Sequence, residues 1–481
     1  MKNKLILAIL GFFLLFIILF CSPQLINVEN GWEKLGAILT TILVIYTIIS
    51  FFILRIDFVS IQFFVFAFLI VFHLGNVIVV GFSSTTIEYA NNLMVYRYGG
   101  DTYTGLAIVY SLLFSLFYTL GIILFHKPCK KSSRNYYLSD LEQMHLFRCG
   151  LIFFVISIIP SLYVLYIAST TKSSDGYAAI YYVDYSFHGI PIGFLTNFLF
   201  PSIIMLILGS INKKKRFFSI AIMAILYYAL EMFLTGRRAD GFLPVLVIIL
   251  VIEKYYPIKK KIPLLILGYL SISALTYIAK TRSSGGTIAD IITGYFNYLI
   301  RFDSISDFLL EAGGTIRSPL LIIKSMDQIP NYRLGLTYAL GPIAALLNGL
   351  RITGALRDYL SFDYFLTNGE AAMLSASQAE FMGGSCIAEA YFNFGFFAPI
   401  VGFILAFSIQ LLSKDKKNMP ILSLFTFVCF YWLLRYIRGY YTEMFWILSY
   451  TFIAISALFY STFRSKKHGK SHFYCAHKIN V

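Results

Sequence analysis

Apolar stretches recur from one end of the chain to the other, separated by short polar or basic segments. A hydrocarbon core of about 30 Å takes about 20 helical residues to cross. Windows of that length predict helices over residues 5–22, 36–54, 58–82, 104–125, 147–168, 189–210, 217–235, 242–256, 262–280, 387–412, 419–437 and 442–462. Pro244 near the start and Glu253 near the end make the eighth of these the weakest span. The first run follows Lys2 and Lys4 and has no small-x-small cleavage site behind it, so it reads as an uncleaved span.

Alternating the sides of these spans puts Lys127-Pro-Cys-Lys-Lys131, Asn212-Lys-Lys-Lys-Arg216, Lys259-Lys-Lys261, Lys414-Asp-Lys-Lys417 and Arg464-Ser-Lys-Lys467 on one face, which the positive-inside rule makes cytoplasmic. Losing any one span would flip every later loop and break that agreement. The expectation is an all-α polytopic membrane protein with about 12 transmembrane helices and both termini in the cytoplasm. Residues 1–280 hold the first nine helices and 281–386 form one large extracytoplasmic loop between helices 9 and 10. Residues 387–462 hold the last three helices, and 463–481 form a basic cytoplasmic tail. Within the large loop, Ile288–Ile300 and Thr337–Leu350 carry a helix-like apolar period, the pattern of amphipathic helices lying on a membrane.

Composition agrees. With 58% hydrophobic and only 13% charged residues over 481 positions, several soluble domains are excluded. Six cysteines show no metal-ligand spacing, and only Cys21 and Cys386 approach the outer side, which argues against a disulfide framework. The tail residues His468, His472, Cys475 and His477 read as solvated rather than metal-binding. No P-loop, dinucleotide fingerprint or zinc motif occurs, so no cofactor and no metal is expected. The net charge of +15 is largely cytoplasmic lysine, which leaves no case for nucleic-acid binding.

One feature departs from the positive-inside rule. In this topology the cytoplasmic side holds about nineteen Lys and five Arg, whereas the outer side holds about four Lys and eleven Arg. Arginine offers a planar, permanently charged fork that grips phosphate or carboxylate through parallel hydrogen bonds. An arginine-rich outer rim therefore points to an anionic ligand. Any single arginine is more simply explained by an outer carboxylate such as Asp240, Asp303, Asp358 or Glu443, or by snorkelling to headgroups. The cluster is harder to dismiss: Arg237 and Arg238 share a very short loop, and Arg435 and Arg438 lie about one helical turn apart at the end of the eleventh span. Arg282, Arg301 and Arg317 follow in the large loop.

Two residue types could move protons. Glu389 sits where the large loop re-enters the membrane and needs a partner or a role there; Glu231, before Arg237, poses the same question. His188 is the only outer histidine in this topology, and its imidazole titrates near neutral pH, although a lone histidine at a span end is more often interfacial. His73, within the third span, reads as a helix contact. Tyr177, Tyr181, Tyr182 and Tyr185 fit an interfacial belt and equally a surface on which sugars stack.

The layout of about twelve spans with one dominant late outer loop resembles the bacterial O-antigen and capsule repeat-unit polymerases, the Wzy family. Thr235-Gly-Arg-Arg-Ala-Asp-Gly241 resembles that family's Gly-Arg segment, and Glu389-Ala-Tyr-Phe-Asn-Phe-Gly395 its return to the membrane. The resemblance implies a GT-C-like arrangement in a bacterial inner membrane. It also implies a glycosyltransferase that moves a growing glycan from undecaprenyl diphosphate onto a second lipid-linked repeat unit, with a chain-length regulator and a flippase as partners. On this reading Arg237 and Arg238 with Arg435 or Arg438 hold the carrier diphosphate, and Arg282, Arg301 or Arg317 hold the second carrier or the glycan. Glu389 or His188 accepts the proton, and no metal is needed.

A secondary transporter is the alternative from another class. Its two halves should be joined by a long central connection, yet Asn212–Arg216 is short, no internal repeat is visible, and the charges gather at the rim rather than at mid-membrane. The related O-antigen ligases carry a histidine in their large loop, and 281–386 has none. A flippase would want a charged central cavity and no long outer loop. The topology predicts that Lys324→Cys reacts with an impermeant thiol reagent in intact spheroplasts, above the labelling of the parent chain; reaction only after lysis would contradict it.

Overall fold

The computed structural model describes residues 2–27, 32–82, 100–127, 140–183, 185–187, 190–258, 262–281, 288–300, 304–328, 332–349, 384–413 and 420–439, together with Tyr441, Phe452 and Ser456. The first half of the chain forms α1 (Lys2–Ile26), α2 (Glu33–Ile53), α3 (Ile61–Phe82), α4 (Gly100–Phe125) and α5 (Asp140–Asp175). A two-residue antiparallel hairpin of β1 (Ser186–Phe187) and β2 (Ile190–Pro191) follows, then a 3-10 segment, Ile192–Phe198, that runs into α6 (Leu199–Leu208). Next come α7 (Lys214–Thr235), α8 (Arg238–Tyr255) and α9 (Ile262–Thr281). The expected outer loop contributes α10 (Ile288–Ile300), α11 (Ser304–Gly313), α12 (Arg317–Gln328) and α13 (Leu336–Gly349). The last elements among the described residues are α14 (Cys386–Phe394), α15 (Ala398–Leu412) and α16 (Pro420–Tyr436).

Among the described residues, seven helical stretches are long and apolar enough to cross a membrane: α1 to α5, α7, and the stretch Cys386–Leu412 formed by α14 and α15. Shorter apolar helices at Ile192–Leu208, Ile266–Ile278 and Leu422–Tyr436 fall on the expected sixth, ninth and eleventh spans. Apart from Phe452 and Ser456, the expected last span and the tail lie outside the described residues.

Two kinds of helix surface coexist. The apolar stretch of α4 is 83% buried, enclosed by α1, α3, α12 and α15, while that of α1 is only 28% buried and leaves Phe13, Phe16 and Phe20 outward. Apolar rings left outside in such numbers mark a surface whose solvent is lipid. Inside, small residues let backbones meet, as expected where lipid removes the hydrophobic drive between helices. A Cβ on Gly121 would lie 2.6 Å from Ala406 Cβ, and one on Gly402 would lie 2.5 Å from the Phe114 carbonyl oxygen, so α4 and α15 cross through two glycines. Buried hydroxyls turn back on their own helices: Ser111 donates to the Ala107 carbonyl at 2.7 Å and Thr119 to that of Ser115 at 2.9 Å.

Three elements differ from the reading of apolar windows. The fifth helix runs for 36 residues, Asp140–Asp175, well beyond 147–168 at both ends, and along its polar end Thr170 bonds to the Tyr166 carbonyl and Ser173 to that of Ser169. The sixth span is α-helical only in its second half, Leu199–Leu208; Pro191 and Gly193 accompany a 3-10 first half. The tenth is broken at Gly395, whose φ of +53° turns the chain beneath the Tyr332 ring. Within the large loop, α11 and α12 turn Leu310, Leu320, Leu321 and Ile323 into the bundle against α3, α4 and α14. Their apolar faces are spent on protein, whereas Phe296 on α10 and Ile343 on α13 remain outward.

Replacing Gly402 by Ala should cost about 1–3 kcal/mol through forced separation of α4 and α15, seen as a lower unfolding temperature in detergent; an unchanged temperature would remove this crossing from the account.

Candidate functional site

The segment Thr235–Gly241 turns the chain in two residues between α7 and α8. Gly236 adopts φ +75°, a left-handed conformation that a side chain would strain, and its amide closes α7 on the Met232 carbonyl at 2.9 Å. Thr235 Oγ1 donates to the Glu231 carbonyl at 2.8 Å and accepts from the Arg237 amide at 3.1 Å, which fixes where Arg237 leaves the turn. Gly241 completes it: a Cβ there would lie 2.5 Å from the Tyr228 carbonyl oxygen.

Three charged side chains radiate from this turn to three parts of the fold. Arg237 Nη2 donates to the Tyr185 hydroxyl at 2.6 Å and to the Ile180 carbonyl at 3.3 Å. Burial is the main influence on Tyr185 and raises its phenol pKa, while Arg237 opposes that rise. The phenol therefore stays protonated and donates to the Ile180 carbonyl at 2.8 Å. Arg238 grips Glu311 of α11 with both terminal nitrogens, one of them at 2.9 Å, which ties the turn to the loop helices. Asp240, in the first turn of α8, accepts from Arg435 Nη1 at 2.7 Å and so ties the turn to α16.

Between these ties lies a cavity of about 270 Å³ walled by α5, the 3-10 segment, α6, α7, α8 and α16. Arg237 and Arg435 both line it, although 198 positions separate them in sequence (435 less 237). Glu231, Asp240, Asn197, Thr196, Tyr227, Tyr431 and Trp432 complete its polar and aromatic wall. The irregular sixth span thus lies where it borders a cavity, the setting in which non-helical backbone is tolerated at membrane depth. Arg435 and Asp240 are each about one-third exposed, and pairs of that kind contribute only about 0–1 kcal/mol. A multiply charged anion entering the cavity could therefore take Arg435 from Asp240 at little cost.

The remaining expected residues are distributed as follows. Arg438 is exposed, with its guanidinium 5.6 Å from the Phe72 ring centre, and does not line the cavity. Arg317 opens α12 beside Gly314, away from the cavity wall. Glu389 is fully buried in α14: Oε1 accepts from the Thr337 hydroxyl and Oε2 from the Tyr441 amide, both at 2.9 Å, and no described arginine pairs with it. His188, Arg282 and Arg301 lie outside the described residues, as do the tail's His468, His472, Cys475 and His477. His73 is a buried helix contact, with Nε2 2.8 Å from Ser385 Oγ.

Sequence reasoning did not single out Glu311 as the partner of Arg238, nor Trp432 and Tyr431 as cavity wall. The first is a contact across 73 positions that no local pattern announces. The second pair was legible in part, because Tyr431 and Arg435 stand one turn apart on the same helix. Tyr185 fits both a belt and a sugar-stacking surface by sequence, and its hydrogen bond to Arg237 adds a structural task.

A multi-pass helical membrane protein with an arginine-walled cavity between its helix ends is the class these features define. The sequence profile of the O-antigen polysaccharide polymerase Wzy family matches residues 4–468, nearly the whole chain. The chain belongs to that family, which gives it an O-antigen polymerase role in polysaccharide biosynthesis. No curated protein and no solved structure matches it.

Arg238→Ala and Glu311→Ala should each lower the unfolding temperature, and the double variant should be no worse than the poorer single one, a coupling of about 0.5–3 kcal/mol. Additive losses would mean that the pair does not hold the turn to α11.

Proposed function

We propose that the chain is a lipid-linked repeat-unit polymerase whose cavity receives the diphosphate of an undecaprenyl carrier between Arg237 and Arg435. The observation that carries this reading is the convergence of these two guanidiniums, from the α7–α8 turn and the end of α16, on one cavity. In this reading the chain crosses the bacterial inner membrane about twelve times, with both termini cytoplasmic and the cavity opening towards the outer leaflet. A hydroxyl of the terminal sugar on a second lipid-linked repeat unit attacks the anomeric carbon of the donor glycan. A new glycosidic bond forms, the bond from that carbon to the diphosphate oxygen breaks, and undecaprenyl diphosphate leaves with the electron pair.

Negative charge grows on the departing diphosphate, and preorganised guanidiniums oppose it most strongly at that moment. This is the task a divalent cation performs in many sugar transferases, and the reading assigns it here to arginine without a metal. Glu231, whose carboxylate borders the same cavity, takes the hydroxyl proton in this scheme. Glu389 has both oxygens engaged elsewhere. Trp432 and Tyr431 supply faces on which a sugar ring stacks. Arg438 serves the same carrier from the exposed end of α16, and Arg282, Arg301 and Arg317 in the loop serve the second lipid or the glycan. A chain-length regulator and a flippase are the expected partners.

Arg237→Ala and Arg435→Ala should reduce the surface glycan ladder to single repeat units while the protein stays in the membrane at normal amounts, and the corresponding Lys variants should lose at least tenfold in polymer. A full ladder from both Ala variants would remove these residues from the site.

A further inference from the structure

Glu389 is joined to the arginine-bearing end of α16 through backbone, not through charge. The start of α14 is fixed first: Ser385 caps it by accepting from the Ile387 and Ala388 amides at 3.2 Å, and His73 Nε2 lies 2.8 Å from the same oxygen. Two bonds then run from α14 to the chain after Arg435. The Cys386 amide donates to the Ile437 carbonyl at 3.4 Å, and the Tyr441 amide donates to Glu389 Oε2 at 2.9 Å. Arg438 lies between these two anchor points. On its other side the carboxylate accepts from Thr337, whose hydroxyl oxygen in turn accepts from Asn393 Nδ2 at 2.6 Å, so the hydroxyl hydrogen is directed to Glu389 alone. Asn393 Oδ1 accepts from the Gly335 and Thr337 amides and holds the start of α13.

Both carboxylate oxygens therefore face donors, in a site with no exposure to solvent. A carboxamide of equal size would set its N–H groups against either the Thr337 hydroxyl or the Tyr441 amide, and a buried donor left without an acceptor is costly. Tyr338 and Tyr436, with hydroxyls 3.1 Å apart, pack against Tyr441 on either side of the joint.

We infer that Glu389 is a positioning residue that anchors Tyr441, as the Cys386 amide anchors Ile437, and so positions Arg438 and Arg435 for the lipid diphosphate. The inference rests on the proposed role of those arginines. Its effect is on affinity for the diphosphate-bearing donor and not on the handling of the attacking hydroxyl.

The test uses the full-length protein in detergent micelles, with geranylgeranyl diphosphate as the binding probe and donor and acceptor KM measured with defined lipid-linked repeat units. Glu389→Gln should weaken probe binding and raise donor KM by about tenfold while leaving acceptor KM unchanged. Thr337→Val, which removes one bond and keeps the carboxylate, should raise donor KM by a smaller factor, and Thr337→Ser should restore it. Wild-type probe binding by Glu389→Gln together with lost turnover would overturn the inference and return Glu389 to the chemical step. If Glu389→Gln does not fold, Thr337→Val decides, and an unchanged donor KM overturns the inference. Absence of probe binding by the wild-type protein would overturn the functional reading and this inference with it.

Discussion

Cationic side chains at the rim of a membrane protein need counter-charges or hydrogen-bond acceptors, and the way this chain supplies them organises one end of its fold. Arg238 is closed off by both oxygens of Glu311, Arg435 is held by Asp240, and Arg237 is held by neutral oxygens on Tyr185 and Ile180. These ties draw the segment between α5 and α6, the helix α11 and the end of α16 onto the turn between α7 and α8 and the first turn of α8. Removing the turn's geometry would uncouple all three, which is why Gly236 at positive φ and Gly241 under the Tyr228 carbonyl matter beyond their own positions.

The same arrangement separates structural charge from charge available to a ligand. A bidentate pair such as Arg238 with Glu311 is a geometric lock. The one-nitrogen ion pair from Arg435 to Asp240, about one-third exposed, bordering a cavity and flanked by the Tyr431 hydroxyl at 3.4 Å, is an exchangeable one. An incoming diphosphate would meet two guanidiniums already aimed by the protein, so little reorganisation accompanies binding. In the proposed reading the aromatic wall beside them faces the sugar attached to that diphosphate, and the membrane-facing helices its prenyl chain.

Much of this was legible in the sequence, because lipid imposes simple rules. Apolar windows located α1 to α4, α7 and α9 closely, since a helix that faces lipid must be apolar along its length. They underestimated α5, whose polar end stays helical beyond the apolar window, and they missed the 3-10 first half of the sixth span, where a cavity rather than lipid is the neighbour. The contrast of lysine on one side with arginine on the other points to Arg237 and Arg238 with Arg435 and Arg438, and of these four Arg237 and Arg435 line the cavity. It could not tell that Arg238 turns away to Glu311, or that Glu389 meets a backbone amide 52 positions away, because long-range partners leave no periodic trace. The Gly-Arg segment became intelligible residue by residue only when each side chain had a partner in space.

The most direct test of the central claim is a structure of the protein in a lipid nanodisc with undecaprenyl diphosphate bound. The account predicts the diphosphate between Arg237 and Arg435, with the bond from Arg435 to Asp240 exchanged for one to phosphate. A diphosphate held elsewhere, with that pair intact and the cavity unfilled, would contradict it.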